Sequence, residues 1–240
     1  MDALILAGGL GTRLGSLAEA RPKALMTVAG RPFAHHQLSW LRDQGVTGVI
    51  YSVGYLGDQI REFVQDGAAW GLRVRYVDEG EHLLGTGGAL RLAADAGVLP
   101  PRFLVLYGDS YLQIDLTDLW RSHLDSGLPA TMAVHRNEGR WDTSNVVFED
   151  GRLIRYDKRR PPDWVDRMHH IDYGVSVLER DLVTTEIPAG AVVDLATVQH
   201  RLSVEGLLHG YEVDERFFEI GTPAGLAELD EHLDPGPPRP

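Results

Sequence analysis

The 240-residue sequence has no cysteine and no apolar run near the roughly 18 residues that a membrane-spanning helix needs. The first absence excludes disulfide bonds, a thiol nucleophile and any metal centre with cysteine ligands. The second, together with the lack of a basic segment followed by an apolar leader, leads us to expect a cytoplasmic protein without a membrane partner.

Positive charge is also scarce, because 23 lysines and arginines face 35 acidic residues, for a net charge of −12. Such a surface repels polyanions, so we expect no nucleic-acid partner. A small anionic substrate is still compatible with the sequence, because cations concentrate at 13–23 and at 158–160. The second of these segments is equally consistent with a solvated loop.

Strand-like and helix-like segments alternate along the chain, a pattern typical of an α/β fold with a mostly parallel sheet. A hairpin signal at 146–156 adds antiparallel strands. We therefore predict a Rossmann-like three-layer α/β/α fold with a mixed, mostly parallel central sheet. It should form a single domain over 1–234, followed by a flexible proline-rich tail at 235–240. The predicted strands are 3–6, 49–53, 74–77, 103–107, 130–135, 145–148, 153–156 and 171–178, with a strand pair or one bulged strand at 211–219. The predicted helices are 32–43, 58–65, 87–95, 117–126, 193–205 and 222–232.

The most informative segment is LAGGLGTRL at 6–14, which follows the first strand and precedes Lys23. Glycines let backbone N–H groups approach phosphate oxygens closely, and Arg13 and Lys23 add full positive charges. The dinucleotide motif G-x-G-x-x-G fails here, because Leu14 stands at its third glycine. The Walker motif and the kinase motifs are absent from the sequence.

This segment, with the Pro-Lys pair at 22–23, resembles the opening motif of the sugar-phosphate nucleotidyltransferases. The strings SVGYLG at 52–57 and LGTGGA at 84–89 are most similar to the short D-glycero-D-manno-heptose 1-phosphate guanylyltransferase type. The resemblance implies a GT-A-like fold and an enzyme of nucleotide-sugar biosynthesis. It would condense a nucleoside triphosphate with a sugar 1-phosphate, giving a nucleotide sugar and pyrophosphate.

Asp109 follows the apolar strand at 103–107, where the ligand crevice of an open α/β sheet lies. A carboxylate facing a phosphate turn is a natural Mg²⁺ ligand. The resemblance adds Glu219 as a second metal ligand, because FEIGTP at 218–223 is similar to the family's D-I-G-T-P segment. The change from Asp to Glu leaves open whether coordination is direct, through water, or absent.

The resemblance also assigns the nucleotide contacts. A carboxylate at Glu79 could accept hydrogen bonds from the N–H groups of guanine. The full set is Leu6, Ala7, Gly8, Gly9, Gly11, Thr12, Arg13, Glu79, Gly85, Thr86 and Gly108.

The expected contacts to the sugar phosphate also follow from the resemblance. Three sugar-side segments depart from the family pattern, so the sequence predicts the reaction better than the substrate. The set is Lys23, Asn145, Asp157, Lys158, Asp172 and Gly174.

In the predicted reaction Arg13 stabilises the departing pyrophosphate, Lys23 bridges toward the α-phosphate, and Asp109 holds Mg²⁺. GTP with a heptose or hexose 1-phosphate is the favoured substrate pair. Uridylyl or cytidylyl transfer to another sugar 1-phosphate is an alternative. A further alternative is a non-catalytic regulator of the same fold that binds a nucleotide sugar. Another is nucleotide transfer to a molybdenum cofactor or to choline phosphate. The sequence is compatible with a homo-oligomer but does not fix the oligomeric state.

Overall fold

The computed structural model describes residues 1–9, 20–80 and 82–234. The predicted nucleotide contacts Gly11, Thr12 and Arg13, and the predicted tail at 235–240, lie outside this range. The chain divides into two units, each assembled from separate segments. The first comprises Met1–Leu83, Tyr107–Leu112 and the chain from Phe217 onward, and the second comprises Leu84–Leu106 and Gln113–Arg216. A single domain over 1–234 stays a prediction.

The strands and helices follow in chain order. The strands are β1 (Asp2–Leu6), β2 (Thr27–Val28), β3 (Arg31–Pro32), β4 (Gly48–Val53), β5 (Arg73–Asp78), β6 (Arg102–Tyr107), β7 (Ser110–Tyr111), β8 (Ala130–Arg136), β9 (Val146–Glu149), β10 (Arg152–Tyr156), β11 (His170–Glu179), β12 (Leu208–Val213) and β13 (Phe218–Glu219). The helices are α1 (Phe33–Asp43), α2 (Gly57–Val64), α3 (Gly85–Asp95), α4 (Leu116–Ser126), α5 (Pro162–Val165), α6 (Arg180–Glu186), α7 (Leu195–Val204) and α8 (Pro223–Leu233).

The first unit contains a parallel ladder in which β4 pairs with β1 on one side and with β5 on the other. Three successive residues of β1, at 3–5, are fully buried. Such a continuous apolar strand is typical of a parallel sheet covered on both faces. A second core packs Phe33 of α1 against Phe218 and Ile220 near β13 and Leu229 of α8. This core fixes the segment that contains Glu219.

In the second unit the ten-residue β11 pairs antiparallel with β6 and with β8, and β12 joins β8 in parallel. The predicted hairpin is confirmed: β9 and β10 pair antiparallel around a turn in which Asp150 and Gly151 both have positive φ. Two residues with positive φ match the twist of a tight hairpin. The start of β11 also pairs with β9, where His170 lies opposite Val146.

The predicted fold class is confirmed, since helices accompany a mixed sheet whose parallel ladders and antiparallel strands occupy the expected segments. Some boundaries differ. The helix predicted at 193–205 begins at Leu195, after the cap residue Asp194. The short helices α5 and α6 were not predicted, because four and seven residues show too little apolar periodicity. Within the described residues, no helix has the length and apolarity to span a membrane.

The start of α4 offers a stability test that does not depend on function. The Asp115 carboxylate accepts hydrogen bonds from the backbone N–H groups of Thr117 and Asp118, at 2.7 and 3.1 Å. Asp115→Ala should lower the free energy of unfolding by about 1 kcal/mol, measured by chemical denaturation. Asp125→Ala, near the carboxyl end of the same helix, should cost less than about 0.5 kcal/mol. Equal losses in the two variants would contradict the capping role.

Candidate active site

The predicted catalytic residues Lys23 and Asp109, both in the first unit, meet in an ion pair. Lys23 Nζ lies 2.7 Å from Asp109 Oδ2, although the two residues are 86 positions apart in the sequence. Each side chain keeps slightly less than one fifth of its surface exposed. Such partial burial strengthens the electrostatic interaction while leaving both groups accessible to a ligand.

Asp109 is positioned by backbone contacts around its neighbour Gly108. The Gly108 N–H donates to the Leu6 carbonyl at 2.9 Å, and a Cβ at residue 108 would lie 3.0 Å from that oxygen. Only glycine therefore fits without moving β1. Buried Gln37 donates from Nε2 to the carbonyls of Tyr107 and Ser110, at 2.9 and 3.1 Å. The role of Gln37 could not be predicted from the sequence, because a single polar residue on a helix gives no signal of such contacts.

Of the two predicted metal ligands, Glu219 ends β13, and Asp109 directly precedes the neighbouring strand β7. In the β7–β13 pair, Glu219 lies opposite Ser110, and the Ile220 N–H donates to the Asp109 carbonyl at 2.9 Å. The Thr222 hydroxyl then caps α8 by accepting from the Gly225 N–H at 3.1 Å, and Pro223 fits the first turn of the helix. The fold thus brings the backbones of residues 109 and 219 side by side.

Glu79 approaches Gly8, at the start of the predicted phosphate turn. Its Oε1 accepts a hydrogen bond from the Ser52 hydroxyl at 3.2 Å, and a Cβ at residue 8 would lie only 2.5 Å from the same oxygen. Glycine at this position therefore makes room for the carboxylate. The Ala7 N–H donates to the Ser52 carbonyl at 2.8 Å. The predicted base contact and the first residues of the predicted phosphate turn are thus adjacent, and Gly9 follows directly.

In the second unit, Gly85 and Thr86 begin α3, and Thr86 forms hydrogen bonds to the start of α7. Thr86 Oγ1 donates to Asp194 Oδ1 at 2.9 Å and accepts from the Leu195 N–H at 2.8 Å. The N–H groups of Gly87 and Gly88 both point to the Val193 carbonyl. Thr86 therefore has a structural task, and its role in binding base or ribose stays a prediction.

Four of the predicted sugar-phosphate residues form one hydrogen-bonded group in the second unit. Asn145 Oδ1 accepts from the Asp172 N–H at 3.2 Å, and the Asn145 carbonyl accepts from the Asp157 N–H at 2.9 Å. Asp172 Oδ1 accepts from the Gly174 N–H at 3.0 Å. Lys158 follows Asp157 and is exposed. Within the second unit, five of the six predicted residues therefore come from three neighbouring segments, whereas Lys23 belongs to the first unit.

The two carboxylates of this group have opposite pKa shifts. Burial raises the pKa of Asp172, although the Gly174 N–H and the charge of Lys158 oppose the shift. Burial would raise the pKa of Asp157 too, but the Arg155 side chain, the Arg159 N–H and the charge of His200 together lower it. Asp157 is buried, and its Oδ2 lies 2.9 Å from an Arg155 guanidinium nitrogen. The hydrogen bonds of Asp157 to the Arg155 side chain and to the Arg159 N–H thus hold the segment that contains Lys158.

Comparison with known proteins identifies the family. The sequence profile of the MobA-like NTP transferase domain matches residues 3–201, well over half of the chain. The chain belongs to this family. The matched range includes every predicted site residue except Glu219. The predicted resemblance and the predicted class of enzyme, a nucleotidyltransferase, are confirmed.

Relatives of this family member include enzymes of differing base specificity. It is 37% identical over 232 residues to a D-glycero-alpha-D-manno-heptose 1-phosphate guanylyltransferase of Campylobacter jejuni, covering 93% of this chain and 96% of the relative. It is 29% identical over 231 residues to an N-acetylmuramate alpha-1-phosphate uridylyltransferase of Neisseria meningitidis, covering 95% and 96%. The crystal structure of HddC from Yersinia pseudotuberculosis complexed with GMP-PN superposes with a TM-score of 0.79 at 26% identity, covering 97% and 99%.

The opposite pKa shifts predict opposite effects of two matched substitutions. Ionised Asp157 stabilises the fold above the unfolded pKa of about 3.9, and this stabilisation is lost as the pH falls through its lower folded pKa. Asp172 is more easily protonated in the fold, so its ionisation destabilises the fold as the pH rises from about 3.9 through its folded pKa. Near neutral pH, Asp157→Asn should therefore be less stable than the wild type, and Asp172→Asn more stable.

Chemical denaturation from about pH 7 down to about pH 3.5 measures the free energy of unfolding of each variant and of the wild type. The difference between each variant and the wild type should become smaller as the pH falls toward and below about 3.9. Effects of the same sign in the two variants would contradict the assigned shifts.

Proposed function

We propose that this chain condenses a nucleoside triphosphate with a sugar 1-phosphate, giving a nucleotide sugar and pyrophosphate. GTP with a heptose or hexose 1-phosphate is the favoured pair. The observation that carries the proposal is the Lys23–Asp109 pair of 2.7 Å, in the same unit as Gly8 and Glu79. The guanylyltransferase among the relatives, 37% identical, supports the choice of base and sugar.

In the proposed reaction an oxygen of the sugar phosphate attacks the α-phosphorus of the nucleotide. A new P–O bond forms, the bond to the β-phosphate oxygen breaks, and pyrophosphate leaves with the electron pair. A phosphate monoester is largely ionised at neutral pH, so the protein needs no general base. Its contribution is positioning and charge neutralisation, which commonly dominate phosphoryl transfer.

The proposed nucleotide contacts lie in the first unit, apart from Gly85 and Thr86. The backbone of Gly8 and Gly9, with Gly11, Thr12 and Arg13 beyond the described residues, would hold the triphosphate. Lys23 would contact the α-phosphate and the incoming phosphate. In the second unit, Lys158 would neutralise the sugar phosphate, and Asn145, Asp172 and Gly174 would orient the sugar.

The residues present also fit Mg²⁺. Nucleotidyltransferases of this family typically use a divalent metal ion. The described residues contain no cluster of three or more histidine or acidic side chains suited to a metal. Mg²⁺ does not need one, because it is commonly held by one or two carboxylates together with substrate phosphates. Asp109 would hold the ion, with Glu219 binding directly or through water. When bound, the ion would offset negative charge on the triphosphate.

Lys23→Met and Asp109→Asn should each lower kcat for pyrophosphate release by about 100-fold or more, since each removes a preorganised charge. Arg31→Met is the matched control, because Arg31 is an exposed cation nearby in sequence that hydrogen-bonds His35. The control should keep near-normal turnover. Near-normal turnover in either of the first two variants, with circular dichroism showing an intact fold, would refute their roles.

Glu79→Gln tests the proposed base. The carboxylate can accept from two N–H groups of guanine, whereas an amide offers only one oxygen. The substitution should lower kcat/KM for GTP by about tenfold or more and change that for UTP much less. Steady-state assays with each nucleoside triphosphate measure the ratio. If the ratio of kcat/KM for GTP to kcat/KM for UTP does not change, Glu79 does not select the base. That result would favour the uridylyl alternative suggested by the Neisseria meningitidis relative.

A further inference from the structure

The second unit contains a cavity of about 770 Å³ that none of the proposed substrate contacts lines. Its walls are the loop that follows β8 and the segment around α5, between β10 and β11. The volume is within the range of small-molecule sites. The side chains that matter for its chemistry are Glu138, Arg140, Trp141, Asp142, Arg160 and Asp166.

Arg160 contributes a buried donor that lacks an acceptor. Its Nε is buried without a hydrogen-bond partner, and its guanidinium makes no ion pair with any residue that the structure describes. A guanidinium stays charged at every relevant pH, and buried donors are almost always satisfied. The backbone of Arg160 also has a φ of 50°, a conformation that costs energy in residues other than glycine. Holding Arg160 in the cavity wall therefore lowers the stability of the fold.

The acidic residues of the cavity do not neutralise Arg160. Glu138 pairs instead with Arg136 and Arg140, at 3.0 and 3.2 Å. Asp142 Oδ1 accepts from the Thr143 N–H at 2.6 Å. Asp166 is exposed at the end of α5, and no ion pair joins it to Arg160 among the described residues. The cavity thus offers an anion one guanidinium without a counter-ion.

Trp141 gives the cavity a rigid flat wall. The Arg216 guanidinium lies 3.7 Å from the centroid of its ring, while half of the Trp141 side chain remains exposed. Fully buried Asn137 fixes the loop, because its Oδ1 accepts from the Trp141 N–H at 3.1 Å and its Nδ2 donates to Ser144 Oγ at 3.1 Å. An indole held in this way suits the apolar face of a sugar ring.

We propose that this cavity selects sugar 1-phosphates with a second anionic group, a carboxylate or a further phosphate, which accepts hydrogen bonds from Arg160. The end of the sugar that bears this second group lies against Trp141, beyond the part that Asn145, Asp172 and Gly174 orient. The inference rests on the proposed function and deepens it. The 1-phosphate is assigned to Lys158, which does not line the cavity, so the charge of Arg160 serves a different part of the substrate.

Steady-state assays with three substrates test this selection: glucose 1-phosphate, glucuronic acid 1-phosphate and glucose 1,6-bisphosphate. Wild-type protein should show a kcat/KM about tenfold or more higher for at least one of the two anionic sugars than for glucose 1-phosphate. Arg160→Gln should abolish that advantage, and Arg160→Lys should keep part of it. Arg159→Gln is the matched control, because the neighbouring Arg159 side chain is 80% exposed. It should keep the full advantage.

Titration calorimetry with the same three compounds, without nucleotide, separates this inference from the proposed function. If no pair of substrates releases pyrophosphate, the proposed function fails, yet binding still decides the role of the cavity. Arg160→Gln should bind the preferred anionic sugar phosphate about tenfold more weakly and glucose 1-phosphate unchanged. Equal binding of all three compounds by the wild type, or an equal loss for all three in Arg160→Gln, would overturn the inference.

Discussion

The ion pair between Lys23 and Asp109 is the interaction around which the site of the first unit is arranged. It joins a residue that follows the glycine-rich segment to one just beyond β6, and backbone hydrogen bonds hold both residues. An exposed pair of this kind would contribute little to stability. Here both side chains are mostly buried, so their charges act in a weaker dielectric than water. A positive and a negative group are therefore held in place for a phosphate and a metal ion.

Backbone geometry explains why this pair forms. The Leu6 carbonyl accepts the Gly108 N–H, so the turn containing Asp109 is fastened to the end of β1. The pairing of β7 with β13 then brings Glu219 into register beside Ser110. Glu79 follows β5, Asp109 follows β6, and Glu219 lies at the end of β13. Positional accuracy in the site thus comes from the sheet and its core.

Charge in the second unit is organised differently, because the two carboxylates of its predicted site, Asp157 and Asp172, already form hydrogen bonds within the fold. Asp157 is ionised and braced by Arg155, whereas burial favours the protonated form of Asp172. The segment that contains Lys158 is therefore held by a neighbouring carboxylate. Arg160, two residues further, has no such partner among the described side chains. Asp157 thus belongs to an ion pair that stabilises the fold, whereas the charge of Arg160, three residues later, is left for a ligand.

The sequence predicted the fold class, the main strands and helices, the hairpin and the family, because apolar periodicity and the glycine-rich opening are local signals. The proximity of Asp109 and Glu219 followed from the resemblance alone. Gln37, Ser52 and the Arg160 cavity could not be predicted, since each depends on contacts between distant segments.

The most direct measurement is a crystal structure with Mg²⁺ and a non-hydrolysable GTP analogue. The account predicts a triphosphate against the backbone of Gly8 and Gly9, with Lys23 Nζ about 3 Å from a phosphate oxygen and Asp109 on the metal. A triphosphate bound away from residues 6–23, with the Lys23–Asp109 pair unchanged, would contradict it.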